Sequence, residues 1–529
     1  MFELDKSSKS EMITRARRNT LGDILTRTTA RFPQKLAFTF KNRQVTYQQL
    51  NTLVNQTANG MREAGIQKES RLAILSKNSL DYVIVIFAAA RLGAVLIPIN
   101  YMLKEKDIRY MLKHSEVTCM LASNEYKDEL DQAAQEANIK IEQRYLLEAA
   151  SSTNGWISIS ELQNNKSSAD LEETIMDDDL AQILYTSGTE SEPKGVMLSH
   201  KSIISEYVSC IFDGHMSSHD KLVHALPFYH SAQLHVFLGP SVYIGASGII
   251  LDQASPQGVM ETIQKHKANQ LFAPPTVWIA LLRHADFDSF DLSSLEKCYY
   301  GAAIMPKEIL KELDRRLPNA NFWNFYGQTE VAPLATALQP EDQLRKLGSA
   351  GTPTLNMETK IVNDQDEEVP RGEVGEIVHR TPHAMLGYLK APEKTAEAFR
   401  NGWFHSGDLG TMDEDGYTTI VDRKKDMINT GGENVPSREV EEIIYQMEEV
   451  AEVAVIGVTD PYWIEAITAV IAVKDGATVT EDAVRAFCTE GLSKFKVPKS
   501  VHFMEALPKN PSGKVLKKDL RDKYEQKQF

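Results

Sequence analysis

The strongest constraint on this chain is a strand–turn–helix–strand rhythm that keeps returning. Residues Arg71–Leu75 read as a strand, Asn78 and Ser79 as a turn, the run to Leu92 as a helix closed by Gly93, and 94–97 as a second, buried strand. The pattern comes back as a strand at 247–251, a helix opening at Pro256 and covering 257–267, and a strand at 270–273 before Pro274-Pro275. Residues 296–300, 306–316 and 321–325 form the next unit. Short apolar runs alternating with helical ones build α/β sheets. The last of these strands runs into Tyr326-Gly-Gln-Thr-Glu330, and polar groups beyond the carboxyl end of such a strand are where open α/β sheets bind ligands.

At 529 residues the chain exceeds a single hydrophobic core, and its size suggests about three or four structural units. Beyond residue 345 the texture changes to short β-like segments with Gly turns, at 376–379 and 417–421, which indicates a small β-rich subdomain. Strands at 453–458 and 467–473 with helices at 437–446 and 481–492 then indicate a separate α+β module. The charged string Asp422-Arg-Lys-Lys-Asp426 is the natural boundary. The expected fold class is α/β: a large N-terminal domain of βαβ-type sheets with the β-rich subdomain over residues 1–421, a hinge at 422–426, and a small C-terminal domain over 427–529.

A net charge of −15 argues against a nucleic-acid partner, which calls for a basic face. Cys119, Cys210, Cys298 and Cys488 lie far apart without paired spacing, so they read as buried thiols in a reducing compartment. The string Met1-Phe-Glu-Leu-Asp-Lys-Ser-Ser-Lys-Ser lacks the apolar core of a signal peptide, and the expected location is cytoplasmic. The stretch from Tyr82 to Leu103 is broken by Arg91, Gly93 and Pro98, so it reads as helix then strand rather than a membrane span. Peripheral membrane contact, and monomer against homodimer, are left open.

Chemistry is concentrated in Tyr185-Thr-Ser-Gly-Thr-Glu-Ser-Glu-Pro-Lys-Gly195. A Gly-containing turn can point successive N–H groups at an anion; Thr186, Ser187 and Thr189 add donors around Gly188, and Lys194 adds a mobile positive charge. It is not a Walker A loop, because Pro193 precedes the lysine and Gly195 follows it. A polar surface turn is the plainer alternative.

Further strings follow: Leu226-Pro-Phe-Tyr-His230, Tyr299-Tyr-Gly-Ala-Ala303, Tyr326-Gly-Gln-Thr-Glu330, Trp403-Phe-His-Ser-Gly-Asp408, Asp422-Arg-Lys-Lys-Asp-Met-Ile-Asn-Thr-Gly-Gly432 and Pro508-Lys-Asn-Pro-Ser-Gly-Lys514. In this order and approximate spacing they resemble the acyl-adenylate-forming superfamily, which includes acyl-CoA synthetases, luciferases and the adenylation domains of peptide synthetases. The resemblance spans nearly the whole chain.

It implies a carboxylic acid, ATP and coenzyme A as small-molecule partners, with Mg²⁺. Both first reactants are anions, so catalysis is mainly positioning and charge neutralisation. The resemblance places Lys194 and its loop on the leaving pyrophosphate, Thr329 on phosphate, Glu330 on Mg²⁺, Asp408 on the ribose and Arg423 on the ribose or α-phosphate side. Tyr326 would stack on adenine, with Gly301 and Ala302 in the backbone wall beside it. Lys514 would reach the carboxylate and α-phosphate. Lys425 corresponds to a hinge about which the small C-terminal domain moves, Gly431 and Gly432 border the pantetheine tunnel, Trp463 faces the CoA side, and His230 resembles the gate at the acyl pocket. A structural salt bridge, a core aromatic, a satisfied core histidine and a solvated basic face are the plainer readings of Asp408–Arg423, Tyr326, His230 and Lys514.

Departures from the family pattern are Glu190-Ser191 where Thr-Gly is common, Ile464 where a Gly is usual, and no aromatic after Asn434-Val435. The expected activity is an AMP-forming acid:CoA ligase acting on a medium- or long-chain fatty acid, since the strings 231–234 and 301–304 are small or apolar without a counter-charge. An aryl acid is the alternative substrate. A non-catalytic nucleotide-binding homologue is the alternative from another class.

Overall fold

A computed structural model describes residues 6–164, 166–171, 173–186, 192–301, 303, 305–474, 476–509 and 515–525. Backbone contacts gather the chain into two compact units, fewer than its length suggests. The first comprises Met1–Leu347, Gly351–Glu358 and Arg380–Phe399; the second comprises Gly348–Ala350, Thr359–His379 and Arg400–Phe529.

The first unit carries two large sheets. Among the described residues, one has eight strands in the order Gly387–Tyr388, Lys194–Ser199, Leu180–Thr186, Val95–Pro98, Arg71–Leu75, Cys119–Ser123, Gln143–Leu147 and Ile157–Ser158. The other runs Leu334–Leu338, Asn321–Gly327, Lys297–Gly301, Gln270–Phe272, Lys221–His224, Ser247–Ile250, Leu36–Phe40 and Arg43–Thr46. Its central strands pair in parallel, as βαβ connections require.

The helix Leu80–Leu92 explains why this unit does not divide between its sheets. All thirteen of its residues are buried, and it touches strands of both sheets. Ser79 caps it by accepting the Tyr82 N–H, and Gly93 ends it at φ 65°. A helix apolar all round belongs in a core or a membrane. Here the interrupting Arg91 decides, because its guanidinium donates to Thr26 Oγ1 at 2.9 Å and to the side-chain oxygens of Asn51 and Asn55. Among the described residues no helix is long and apolar enough to cross a membrane. The four cysteines are buried and free.

In the second unit, strands Glu358–Val362, Gly375–Arg380, Phe404–Met412 and Thr418–Arg423 lie side by side. A further sheet orders Glu433–Val435, Ile428–Thr430, Ile464–Val473 and Val450–Asp460, with Ser500–Met504 parallel to Ile464–Val473. Helices Ser437–Ile444 and Glu481–Gly491 cover it through Val440, Ile444, Val484 and Cys488. Helix Lys517–Glu525 adds Leu520 and Tyr524 against Ile456 and Val458.

Candidate active site

The Thr/Ser/Gly/Lys segment is the connection of a β-hairpin. Strands Leu180–Thr186 and Lys194–Ser199 run antiparallel, and their outermost pair is Thr186 with Lys194. Ser187, Gly188 and Thr189 lie outside the described residues, as does Glu190. The Lys194 ammonium stands 5.0 Å from the centroid of the Tyr388 ring. Tyr388 is delivered there by the short strand Gly387–Tyr388, which pairs with Val196 and Met197 and is followed by a Leu389 N–H bond to the Gly195 carbonyl. The Tyr388 hydroxyl donates to Glu330 Oε1 at 2.9 Å. One side chain therefore links the lysine of the hairpin to the acid of the second loop.

That loop leaves the strand Asn321–Gly327 at a tight point. A Cβ on Gly327 would lie 1.8 Å from the Pro333 carbonyl oxygen, so no other residue fits. Thr329 and Glu330 open a single 3₁₀ turn; Glu330 is buried, and its carbonyl accepts the Met385 N–H at 2.9 Å. The Thr329 hydroxyl meets Ser231 Oγ at 3.2 Å. Beside Ser231, His230 Nδ1 accepts the Ala232 N–H at 3.2 Å, and burial pushes its pKa down to about 4, so the ring is neutral at pH 7. A seven-residue π-helix, Ala232–Leu238, follows at once. Gly301 is paired with Phe325, and a Cβ there would lie 2.4 Å from the Phe325 carbonyl oxygen. Tyr326 continues that strand opposite Thr336, while Ala302 lies outside the described residues. The first unit thus brings together Lys194, Thr329 and Glu330, with His230 alongside.

This donor set bears on the Mg²⁺ expectation. Among the described residues no three His, Cys, Asp or Glu side chains gather as a metal cage. One buried carboxylate, sharing an oxygen with Tyr388, suits a hard cation whose remaining ligands come from phosphate and water. Gln328 Nε2 is also buried without a hydrogen-bond partner among the described residues.

In the second unit, Asp408 and Arg423 face each other across an antiparallel pair, with Nε 3.3 Å from Oδ1. Both readings of them, ion pair and ribose site, begin from this geometry. Burial, aided by Arg423 and Arg521, lowers Lys425 to about 8. Gly431 and Gly432 both take positive φ, 65° and 91°, and the Gly431 N–H donates to the Trp463 carbonyl at 2.6 Å. The Lys499 ammonium stands 4.4 Å over the Trp463 ring. Ile464 keeps the left-handed backbone, φ 71°, that its position demands, although it is β-branched. Lys514 lies outside the described residues.

Sequence reading missed Tyr388 and the π-helix. Tyr388 stands far along the chain from the motifs it serves, and its one local signal was Gly387 ahead of it.

Residues 25–389 match the AMP-binding enzyme family, and residues 439–514 match the AMP-binding enzyme C-terminal domain. A feruloyl-CoA synthase of Amycolatopsis sp is 34% identical over 481 residues, covering 91% of this chain and 94% of its own. The long-chain-fatty-acid–CoA ligase FadD13 of Mycobacterium tuberculosis is 34% identical over 484 residues, covering 91% and 93%. The crystal structure of ATP-bound MatB from Rhodopseudomonas palustris superposes with a TM-score of 0.86 at 29% identity, covering 95% of this chain and 99% of that one. The chain belongs to the acyl-adenylate-forming superfamily, in its AMP-forming acyl-CoA synthetase branch.

Proposed function

We propose that this acid:CoA ligase activates an apolar carboxylic acid, a medium- or long-chain fatty acid. The observation that carries the activation step is the Lys194–Tyr388–Glu330 group with Thr329 beside Ser231 and His230. A carboxylate oxygen bonds to the α-phosphorus of ATP, the bond from that phosphorus to the bridging oxygen breaks, and pyrophosphate leaves. Lys194 holds the leaving charge, its ammonium kept in place by the Tyr388 ring. Thr329 donates to a phosphate oxygen. Glu330, oriented by the Tyr388 hydroxyl, is the carboxylate for Mg²⁺, which when bound neutralises phosphate charge. Asp408 accepts from the ribose hydroxyls, Arg423 supports it, Tyr326 stacks on adenine, and Gly301 and Ala302 form the wall beside the base. Lys514 neutralises the reacting oxygens.

In the second step the CoA thiolate attacks the acyl carbonyl and AMP leaves. Rotation at Lys425 before that attack presents the stretch from Gly431 and Gly432 to Trp463 to the pantetheine arm. Neutral His230 can stand at an apolar acyl group without burying a charge.

An aryl acid is the second reading, and one observation favours it. Tyr101 packs face to face on Tyr126 and edge-on against Tyr229, the neighbour of His230, and the buried Tyr229 hydroxyl has no hydrogen-bond partner among the described residues. Such a hydroxyl suits a phenolic acid. The deciding experiment measures AMP formation with CoA across saturated acids of increasing length and hydroxylated cinnamic acids. Best turnover of a saturated acid supports the fatty-acid reading, best turnover of a phenolic acid replaces it, and no turnover of any acid removes the ligase assignment.

A further inference from the structure

Glu206 lies on the helix His200–Asp213, which follows directly from the hairpin strand Lys194–Ser199. It is fully buried, on the side of the helix that meets the strand Leu334–Leu338. Its Oε1 accepts the Leu334 N–H at 3.3 Å and the Cys210 thiol at 3.4 Å, while Oε2 has no hydrogen-bond partner among the described residues. Burial raises this carboxyl well above the usual carboxylate range, against the smaller pull of those two donors. A buried acid with one oxygen unanswered is costly to keep, and a leucine or methionine would pack there at less expense.

What that acid holds is the return of the Thr329–Glu330 loop. Leu334 is where the chain re-enters the sheet, in register with Gly327 at the loop's exit. The same helix braces the loop's other flank: Ser202 Oγ donates to the Ala384 carbonyl at 3.0 Å and Ser209 Oγ meets His383 Nε2 at 3.1 Å. The next residue, Met385, donates its N–H to the Glu330 carbonyl. Lys194 and Glu330 therefore take their places from a common rod, with the hairpin strand joined to its start and the loop tied to its middle.

We propose that Glu206 is a positioning residue for adenylation, its carboxyl fixing through Leu334 where Thr329 and Glu330 stand with respect to Lys194. This rests on the roles given above to Thr329 and Glu330. Glu206 touches neither substrate nor cation, and its contribution is a fixed acceptor of the right length.

The test uses the full-length enzyme and pyrophosphate release with the best acid of the panel. Glu206→Asp withdraws the carboxyl by one methylene; Glu206→Gln keeps the reach with a neutral head whose carbonyl still accepts the Leu334 N–H. The expected result for Glu206→Asp is a KM for ATP about tenfold higher with an unchanged KM for CoA, while Glu206→Gln stays within about twofold of the parent in both. A parental KM for ATP in Glu206→Asp overturns the proposal, even where its melting temperature falls. A Glu206→Gln enzyme as impaired as Glu206→Asp overturns it too, since an acceptor of the right reach for the Leu334 N–H would then not be what matters. Glu330→Gln is measured alongside: full activity there removes the role of Glu330 itself, an outcome separate from either result at Glu206.

Discussion

Replacing Tyr388 by Phe removes only the hydroxyl that reaches Glu330 and leaves the ring under Lys194. A hydrogen bond to a charged acceptor contributes about 1.5–3 kcal/mol, so the expected result is a KM for ATP raised about tenfold at fixed magnesium, with Tyr388→Leu worse because the cation–π partner goes as well. Identical kinetics for Tyr388→Phe and parent would dismiss the hydroxyl's role. Lys514→Ala should abolish acyl-adenylate formation yet leave thioester formation from supplied acyl-AMP; equal loss in both half-reactions would contradict its placement. Ile464 offers a stability test. A β-branched residue at φ 71°, more than half exposed at 56%, carries strain that burial does not offset. Ile464→Gly should raise the unfolding free energy of the C-terminal region by about 1 kcal/mol, read as a higher urea midpoint. A lower midpoint would mean that the isoleucine side chain makes up the difference.

At the scale of elements, most of the βαβ units were legible. Their strands and helices appear within a residue or two of where alternation, Ser79, Pro256 and Gly93 placed them, because these signals act over one turn of chain. The π-helix Ala232–Leu238 was not legible. Its residues Gln233 and His235 are polar yet wholly buried, partnered by His224 on one side and by Gln182 and Tyr207 on the other. Widening the turn to aim both inward is set by those distant partners rather than by local preference. The charged string 422–426 also has tertiary ties. Asp422 Oδ2 accepts both the backbone and the hydroxyl of Ser437 at 2.6 Å, Arg438 donates to the Ile420 carbonyl, and Asp426 pairs with Arg521 at 2.9 Å. If Lys425 is the pivot, fixing its φ with Lys425→Pro should slow CoA-dependent turnover while sparing pyrophosphate release. Unaltered overall turnover would count against rotation there.

The molecule as a whole stores several neutral histidines. His200, His224, His235 and His383 are fully buried, and desolvation lowers them to about 4, 3, 3 and 4 from an ordinary 6.5. A group whose folded-state pKa lies below its unfolded value binds its proton more readily when unfolded. Their contribution is thus intact above pH 6.5 and is lost progressively as the pH falls from 6.5 towards 4 for His200 and His383 and towards 3 for His224 and His235. Urea midpoints should drop steeply across that interval, before most carboxylates titrate; a flat profile between pH 6.5 and 5 would refute the buried neutral state.

The sequence by itself determined the superfamily, the α/β class and the residues offered for chemistry, because turns, caps and anion-binding loops are written in neighbouring positions. Only the tertiary structure decided that Tyr388 joins Lys194 to Glu330 and that Glu206 holds the loop between them. Those contacts join segments more than fifty residues apart, where packing and desolvation, not local preference, choose the partner.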